Sequence, residues 1–267
     1  MENDDVLTGR LLSRREVLAL MGVAGLAVVV GCGGDDEPSP AATTTTGATE
    51  APTTAATLAA AGTPVPSCVV RPELTEGPYF VEEQLERSDI RSDPSDGSVK
   101  EGTPLVMTFL VSQVDSDGSC SALAGANVDV WHRDALGVYS DVQDPGFDTS
   151  GQKWLRGYQV TDAEGRAQFT TIYPGWYQGR ATHIHFKIRT DPESEAGTEF
   201  TSQFFFDDTL SDQVHAQGAY AEKGAAGRLQ NDEDMIYQQS GGQLTLDVTP
   251  AGDGYAATFD IGIQLDG

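Results

Sequence analysis

Residues 175–188 read GWYQGRATHIHFKI, and the strand signal at the end of this stretch decides the fold expected for the chain. The signal continues through residues 183–190, HIHFKIRT, where apolar and polar side chains alternate. Because successive side chains of a β-strand point to opposite faces, the apolar ones share a face that should pack in a hydrophobic core: Ile184, Phe186 and Ile188. His183 and His185 fall on the opposite face, where no apolar packing role explains them.

Other segments of the chain carry strand signals of the same kind. They are short, rich in β-branched and aromatic residues, and separated by turn clusters such as DAEG and AGDG: residues 104–114, 126–132, 166–172, 201–206, 243–248 and 255–265. Helical periodicity is weak, and one short helix is expected within residues 213–224. This pattern predicts an all-β fold, an antiparallel β-sandwich.

The first 32 residues have the layout of a bacterial export signal. Arg14 and Arg15 precede an apolar run from Val17 to Val30 that ends in small residues. The Ser-Arg-Arg start resembles a twin-arginine signal, and the sequence VVGC that ends at Cys32 resembles the lipobox of bacterial lipoproteins. We therefore expect residues 1–32 to be a twin-arginine-like lipoprotein signal peptide and Cys32 to be acylated.

A retained transmembrane anchor is the alternative for this segment. It is disfavoured because the apolar run is shorter than the roughly 20 residues that a membrane-spanning helix needs. Both interpretations place the rest of the chain outside the cytoplasm. We expect an exported bacterial lipoprotein at the cell surface or on the periplasmic side of the membrane.

Residues 33–66 differ in composition from the rest of the chain. Thr, Ala, Pro and Gly dominate and leave almost nothing to bury, so this stretch should be a disordered linker. One folded domain is expected over residues 67–267. The formal net charge of the chain is −25, which excludes nucleic acid as a partner and leaves the N-terminal lipid as the expected contact with a membrane.

Three cysteines become two once Cys32 is assigned to the lipid. Cys68 and Cys120 then form an even pair in an oxidising compartment, which favours a disulfide. Such a crosslink stabilises a domain by about 4 kcal/mol in the chain-entropy treatment. Free or metal-binding thiols are the alternative, disfavoured because the chain has no CxxC motif.

The histidine pair indicates a metal site. Two neutral imidazoles at positions i and i+2 of a strand can bind one ion. No acidic residue lies between Gly165 and Thr190 to complete a histidine-carboxylate site, whereas Tyr139, Tyr173 and Tyr177 precede the pair. A phenol must lose its proton to bind a metal, and the hard charge of Fe(III) favours this better than zinc or magnesium. The residue types therefore point to Fe(III).

Four segments carry a resemblance to a known family: TEGPYF (75–80), WHRDALGVYS (131–140), GYQVTDAEGRAQFTTIYPGWYQGRATHIHF (157–186) and SQFFFDD (202–208). They resemble segments of the intradiol ring-cleavage dioxygenases, the family of catechol and protocatechuate dioxygenases. The likeness covers most of residues 68–210. The N-terminal signal and the absence of the helical domain of the catechol branch are similar to the exported, single-domain members.

The resemblance implies a role for particular residues. It assigns the Fe(III) ligands to four side chains: Tyr139, Tyr177, His183 and His185. It matches Arg180 to the arginine that lies over the substrate ring, and Gln203 to a glutamine near the substrate. The segment with Thr75, Gly77 and Pro78 is expected to line the pocket. One departure from the family is that only five residues separate Tyr177 from His183, where relatives usually have a longer excursion that helps to wall the pocket.

The resemblance also implies an activity in aromatic compound catabolism. The expected reaction is cleavage of a catechol-type aromatic by O2 between its two hydroxylated carbons, with a product of the cis,cis-muconate type. Tyr177 is the ligand expected to be released and to take up a substrate proton, and a homodimer is expected because relatives often dimerise. The alternatives are an exported, non-catalytic β-sandwich that binds iron or an aromatic ligand, and a structural or adhesive surface module.

Overall fold

A computed structural model of the protein describes residues 69–192 and 197–265. The expected signal peptide, residues 1–32 with Cys32, and the expected linker, residues 33–66, lie outside the described residues. Cys68 also lies outside them, so its disulfide with Cys120 stays a prediction, as do lipidation and export. Within the described ranges, no helix combines the length and the hydropathy that crossing a bilayer requires.

Eleven strands form the described part of the domain: β1 (Pro104–Val114), β2 (Cys120–Ala122), β3 (Asn127–Trp131), β4 (Gln143–Asp144), β5 (Phe147–Asp148), β6 (Arg156–Val160), β7 (Arg166–Ile172), β8 (His183–Arg189), β9 (Glu199–Phe205), β10 (Val248–Ala251) and β11 (Gly254–Gln264). Two short α-helices lie between β9 and β10: α1 (Asp208–His215) and α2 (Met235–Ser240). Two 3₁₀ turns accompany the helices: Gly218–Tyr220 and Asn231–Glu233.

The strands form two main sheets. The order in the first is β10-β11-β1-β2, with β7 pairing β1 next to β2, and the order in the second is β6-β3-β8-β9. All pairings are antiparallel apart from that between β1 and β11, which is parallel. The predicted all-β, antiparallel sandwich is confirmed, with one parallel pair added to it.

Aromatic side chains join the two sheets in the core. Phe109 on β1 lies 5.5 Å from Phe186 on β8 and 5.3 Å from Phe204 on β9, measured between ring centroids. Phe259 on β11 lies 4.4 Å from Phe204. All four rings are buried, and burial of one phenylalanine side chain contributes roughly 1.5–3 kcal/mol. This aromatic contact fixes which face of β8 points to the core. Because side chains alternate along a strand, it also fixes which side chains of β8 lie on the opposite face.

The sequence signals located six of the eleven strands, and two differences have a clear physical reason. The sequence predicts a strand over residues 243–248, but only Val248 belongs to one, β10, and residues 243–247 form a single bridge, between Thr245 and Phe205. Leu244 and Leu246 are both buried there, so the apolar alternation reflects packing of an extended segment and not membership of a sheet. The strand β6 was missed because its sequence, RGYQV, has one strongly apolar position.

The helix predicted within residues 213–224 corresponds to α1, which begins earlier, at Asp208, and ends earlier, at His215. Asp207 caps α1 by accepting a hydrogen bond from the backbone nitrogen of Leu210, and the helix ends at His215. A 3₁₀ turn then brings Tyr220 back to the sandwich, where its hydroxyl donates to the carbonyl oxygen of Tyr173 at 2.6 Å. The helical region therefore supports the segment that precedes β8.

His215 makes a second contact between the helical region and that segment. Its Nε2 donates to the carbonyl oxygen of Pro174 at 3.0 Å. Burial lowers the pKa of His215 to about 4. An imidazole in the unfolded chain has a pKa near 6.5, so the unfolded state binds a proton between these values and the folded state does not. The contribution of His215 to stability is complete above pH 6.5 and is lost as the pH falls toward 4.

We predict that His215→Gln makes stability less dependent on pH. The amide of glutamine can still donate to Pro174 but does not titrate. Between pH 8 and pH 5 the wild-type protein should lose about 2 kcal/mol more of its free energy of unfolding than the variant does. Urea denaturation of both proteins at the two pH values measures this difference, and parallel losses would contradict the assignment.

Candidate metal centre

The histidine pair lies on the central strand of the second sheet. β8 pairs with β3 on one side, where Trp131 is opposite His185, and with β9 on the other, where His185 is opposite Gln203. The apolar face of β8 lies in the core as predicted: Ile184, Phe186 and Ile188 are buried. His183 and His185 are also buried, on the opposite face. The strand is thus covered on both faces.

The two imidazoles direct the same ring nitrogen toward one point. The Nε2 atoms of His183 and His185 lie 3.1 Å apart. His183 Nδ1 lies 2.8 Å from the carbonyl oxygen of Ala181, so Nδ1 donates there and Nε2 keeps its lone pair. Trp131 stacks on His185 with ring centroids 5.1 Å apart. Metal–nitrogen bonds of about 2.0–2.1 Å that meet near a right angle separate two nitrogens by about 3 Å, so the pair fits one ion.

The protonation state of both imidazoles also suits metal binding. Burial lowers the pKa of His183 and of His185 well below the ordinary value, and the charges of Arg133 and Arg180 lower both further. Both rings are therefore neutral at neutral pH. A neutral imidazole is the form that binds a metal ion.

Two tyrosines complete the group from loops on either side. Tyr139 follows β3 and Tyr177 precedes β8. Their ring centroids are 6.4 Å apart; that of Tyr139 lies 6.2 Å from His185, and that of Tyr177 lies 6.0 Å from His183. The structure thus brings together the four side chains that the sequence indicated as ligands. Their role as ligands stays a prediction.

The hydroxyl of Tyr139 is buried and has no hydrogen-bond partner among the described residues. Leaving a buried polar group unpaired costs about 1–3 kcal/mol. Burial raises the pKa of Tyr139 to about 12, against the lowering effect of Arg133. A strongly charged ion that replaces the phenolic proton would give the buried oxygen a partner and would stabilise its deprotonated form. This unpaired oxygen, in a group with the facing Nε2 atoms of His183 and His185, is the observation that fits the donor set to Fe(III).

Carboxylates do not supply a competing site in the described ranges. No group of three or more His, Cys, Asp or Glu residues is arranged there to hold a metal ion. The mixed phenol and imidazole set is the arrangement that the fold assembles.

Arg180 lies beside the imidazoles and is held by two partners. Its Nε donates to Asp234 Oδ2 at 2.9 Å, and its Nη2 donates to Gln203 Oε1 at 2.7 Å. Gln203 in turn donates to the carbonyl oxygen of Thr75 at 2.7 Å. Nη1 of Arg180 lies 3.5 Å from His183 Nε2. The predicted substrate-binding residues Arg180, Gln203 and Thr75 are thus joined in one chain of hydrogen bonds at the edge of the site.

The glycine of the segment 75–80 lies against the histidine pair. Gly77 has a φ of +72°, and a Cβ at this position would lie 3.2 Å from Cε1 of His185. The position therefore requires glycine for its backbone conformation and for the space beside the imidazole. Pro78, the next residue, is exposed.

Three residues of the site were missed in the sequence analysis. Tyr79 stacks on Tyr139 with centroids 4.5 Å apart, and its hydroxyl donates to Asp144 at 2.8 Å. Asp234 pairs with Arg180 from a helix 54 positions away in sequence, and Arg133 lies over the ring of Tyr177. Tyr79 and Arg133 are within the segments that carry the family resemblance, whereas no local signal marks Asp234 beyond its place before α2.

A protein-family model described as "Dioxygenase" matches residues 75–249 of the chain. The chain is 27% identical over 152 residues to catechol 1,2-dioxygenase 1 of Acinetobacter lwoffii, covering 48% of this chain and 45% of that protein. It is 30% identical over 152 residues to chlorocatechol 1,2-dioxygenase of Pseudomonas putida, covering 49% and 52%. The chain spans about half the length of these curated relatives.

Solved structures give a more complete match. An intradiol ring-cleavage dioxygenase from Tetranychus urticae is 29% identical, with a TM-score of 0.63 over 74% of this chain and 95% of that one. The dioxygenase domain of a carbohydrate-binding fusion protein from Streptomyces sp. SirexAA-E is 25% identical, with a TM-score of 0.51 over 74% and 100%. The likeness to these two structures spans nearly all of each.

We predict that Asp234→Asn destabilises the protein by about 3 kcal/mol, because it leaves the partly buried guanidinium of Arg180 without its counter-charge. Asparagine caps a helix as well as aspartate, so α2 keeps its cap. Asp207→Asn is the matched control, since Asp207 caps α1 and makes no ion pair within the described ranges, and it should cost less than about 0.5 kcal/mol. Urea denaturation measures both values, and equal losses would contradict the role given to the ion pair.

Proposed function

Because the chain belongs to the intradiol ring-cleavage dioxygenase family, we propose that it cleaves a catechol-type aromatic with O2 between the two hydroxylated carbons, giving a cis,cis-muconate type of product. The proposed cofactor is Fe(III), held by four side chains: Tyr139, Tyr177, His183 and His185. The observation that supports this most strongly is the convergence of two phenols and two imidazoles on one buried face of β8.

Bound Fe(III) would supply Lewis acidity, withdrawing electron density from a catecholate so that a ring carbon reacts with O2. The phenolates of Tyr139 and Tyr177 would offset two of its three positive charges, a condition that a buried site favours. The tasks that remain for the protein are to accept the substrate protons, to hold the ring and to stabilise the charge that develops on it.

Tyr177 is the residue proposed to accept a substrate proton, at its phenolic oxygen. It is partly exposed, whereas Tyr139 is buried. The residues after it, Gln178 and Gly179, are exposed, and a Cβ at Gly179 would meet no atom within 4 Å. A substrate that arrives from this open side meets Tyr177 first. The short connection between Tyr177 and His183 is proposed to leave this side accessible.

Arg180 is proposed to stabilise negative charge on the substrate during cleavage. Its orientation is fixed on two sides, by Asp234 and by Gln203, so little reorganisation would be needed when the charge appears. Tyr79, stacked on Tyr139, offers an aromatic surface at the same side of the site. Gln203 and the segment with Thr75, Gly77 and Pro78 are proposed to border the substrate.

We also propose that the domain works outside the cytoplasm, tethered by the acylated Cys32 through residues 33–66, and that it forms a homodimer. The twin-arginine-like start and the lipobox support the first statement. Labelling with a radioactive fatty acid tests the anchor, and loss of the label in Cys32→Ser is the expected result. Size-exclusion chromatography of residues 67–267 tests the dimer.

The decisive experiment uses protein loaded with Fe(III). We expect a visible absorption band from tyrosinate-to-iron charge transfer, and consumption of O2 when catechols are added, with the ultraviolet absorption of a muconate product. Coloured protein that consumes no O2 with any catechol of a panel would instead indicate an exported iron- or aromatic-binding protein. Colourless protein without tightly bound iron would contradict the metal site and leave a structural or adhesive module.

We predict that Tyr177→Phe bleaches much of the visible band and lowers turnover by about 100-fold or more, because it removes a ligand and the proposed proton acceptor. Tyr173→Phe is the matched control. The hydroxyl of Tyr173 bonds Ser211 at 2.8 Å, away from the four residues, so this variant should keep the band. Unchanged colour and activity in Tyr177→Phe would refute the ligand assignment.

We predict that Gly77→Ala lowers the iron content of the purified protein, because the added methyl group presses on the His185 ring. Gly97→Ala controls for the backbone: Gly97 has a φ of +74°, but a Cβ there meets no atom within 4 Å. Both variants should lose about 1–2 kcal/mol of stability from the left-handed conformation. Iron determined per folded chain should fall in Gly77→Ala alone, and equal iron content would contradict the proposed contact.

A further inference from the structure

Arg133 lies inside the candidate metal centre. It follows β3 two residues after Trp131, the residue that stacks on His185. Its guanidinium carbon is 4.3 Å from the ring centroid of Tyr177 and 5.4 Å from that of Tyr139. Its Nη2 donates to the carbonyl oxygen of His183 at 3.3 Å. The side chain therefore touches both tyrosines and the backbone of the histidine strand.

The charge of Arg133 is buried without a carboxylate. The residue has a relative exposure of 0%, and it takes part in no ion pair within the described ranges. Its Nε and Nη1 have no hydrogen-bond partner there either. The neighbouring Asp134 is already paired with Lys100 at 3.0 Å. Two of the three guanidinium nitrogens are thus buried without an acceptor among the described residues.

Three other arginines that are buried or partly buried have anions or acceptors. Arg180 has Asp234, and Arg228 has Asp208 and Asp212. Arg156 donates from all three nitrogens to oxygen atoms of Ser140 and Tyr79. A buried cation without an anion or a full set of acceptors is unfavourable. A negative charge that forms within the site would therefore stabilise the buried guanidinium of Arg133.

We propose that Arg133 is a positioning residue that supplies the counter-charge of the phenolate pair, and of Tyr177 in particular. The inference rests on the proposed function, since the phenolates exist when both tyrosines bind a trivalent ion. The planar guanidinium lies over the Tyr177 ring in a cation–π arrangement, which becomes more favourable when the ring carries negative charge. Arg133 thus makes Tyr177 a weaker electron donor toward the ion and holds its ring in place.

Two measurable consequences follow from this arrangement. Moving an electron from the Tyr177 phenolate toward the ion is harder while a positive charge lies over the ring, so Arg133 shifts the charge-transfer band to shorter wavelength. In protein without iron, the same charge is buried and unpaired and lowers stability. A residue that merely filled space would produce neither effect.

The experiment compares Arg133→Met, which removes the charge and keeps most of the volume, with Arg133→Lys, which keeps the charge. In iron-loaded protein the band of Arg133→Met should move to longer wavelength, and that of Arg133→Lys should move by less than half as much. In iron-free protein Arg133→Met should have a higher melting temperature than the wild type. Arg228→Met is the control: it breaks a buried ion pair remote from the four residues, so it should lower the melting temperature and leave the band in place.

The outcomes separate this inference from the proposed function. If the wild-type protein binds no iron and shows no band, the proposed metal site fails, and the inference fails with it. If the wild type shows the band but Arg133→Met leaves its position unchanged, the counter-charge role is wrong while the metal site stands. If Arg133→Met does not fold, Arg133→Gln takes its place as the variant without the charge. Equal displacements of the band in Arg133→Lys and Arg133→Gln would overturn the inference, because keeping the charge would then make no difference to the band.

Discussion

Burial of β8 on both faces is the constraint on which the rest of this structure depends. Its backbone is paired by β3 and β9, and one face carries the aromatic interlock of Phe186 with Phe109 and Phe259. Because side chains alternate strictly along a strand, fixing Phe186 in the core also fixes His183 and His185 on the other face. The loops that cover this second face bring the tyrosines, so the core and the candidate site are positioned by the same strand.

The second face of β8 is covered by polar and aromatic groups whose pairing is incomplete. Asp234 illustrates the satisfied part: it caps α2 and binds both Arg180 and the backbone nitrogen of Ala181. Several buried atoms without a partner within the described ranges lie on residues at or next to the site: Trp131 Nε1, Arg133 Nε and Nη1, Tyr139 Oη, Thr182 Oγ1 and His185 Nδ1. A fold tolerates unpaired groups at a cost in stability, and their concentration here is what a site prepared for a charged ligand would show.

Most of the sandwich could be predicted from the sequence, and the exceptions have physical reasons. β1 and β7 match their predicted bounds because each alternates between a core face and an open face. Residues 243–247 alternate too, yet they meet β9 in a single bridge, and Leu244 and Leu246 are buried there without belonging to a strand. Hydrophobic alternation reports which side of a segment is buried, and it does not report whether another strand is available to pair.

The sequence by itself determined the strand that holds the two histidines and the face they occupy, and the family resemblance of its segments indicated the two phenols proposed to join them. These follow from local alternation and from short motifs whose members are close in the chain. The tertiary structure alone decided that Asp234 holds Arg180 and that Tyr79 stacks on Tyr139. It also decided that the guanidinium of Arg133 is buried against Tyr177 with no carboxylate partner in the part of the chain that the structure describes. Such facts depend on which side chains meet after the loops close over β8, and a contact between distant residues leaves no mark in local sequence.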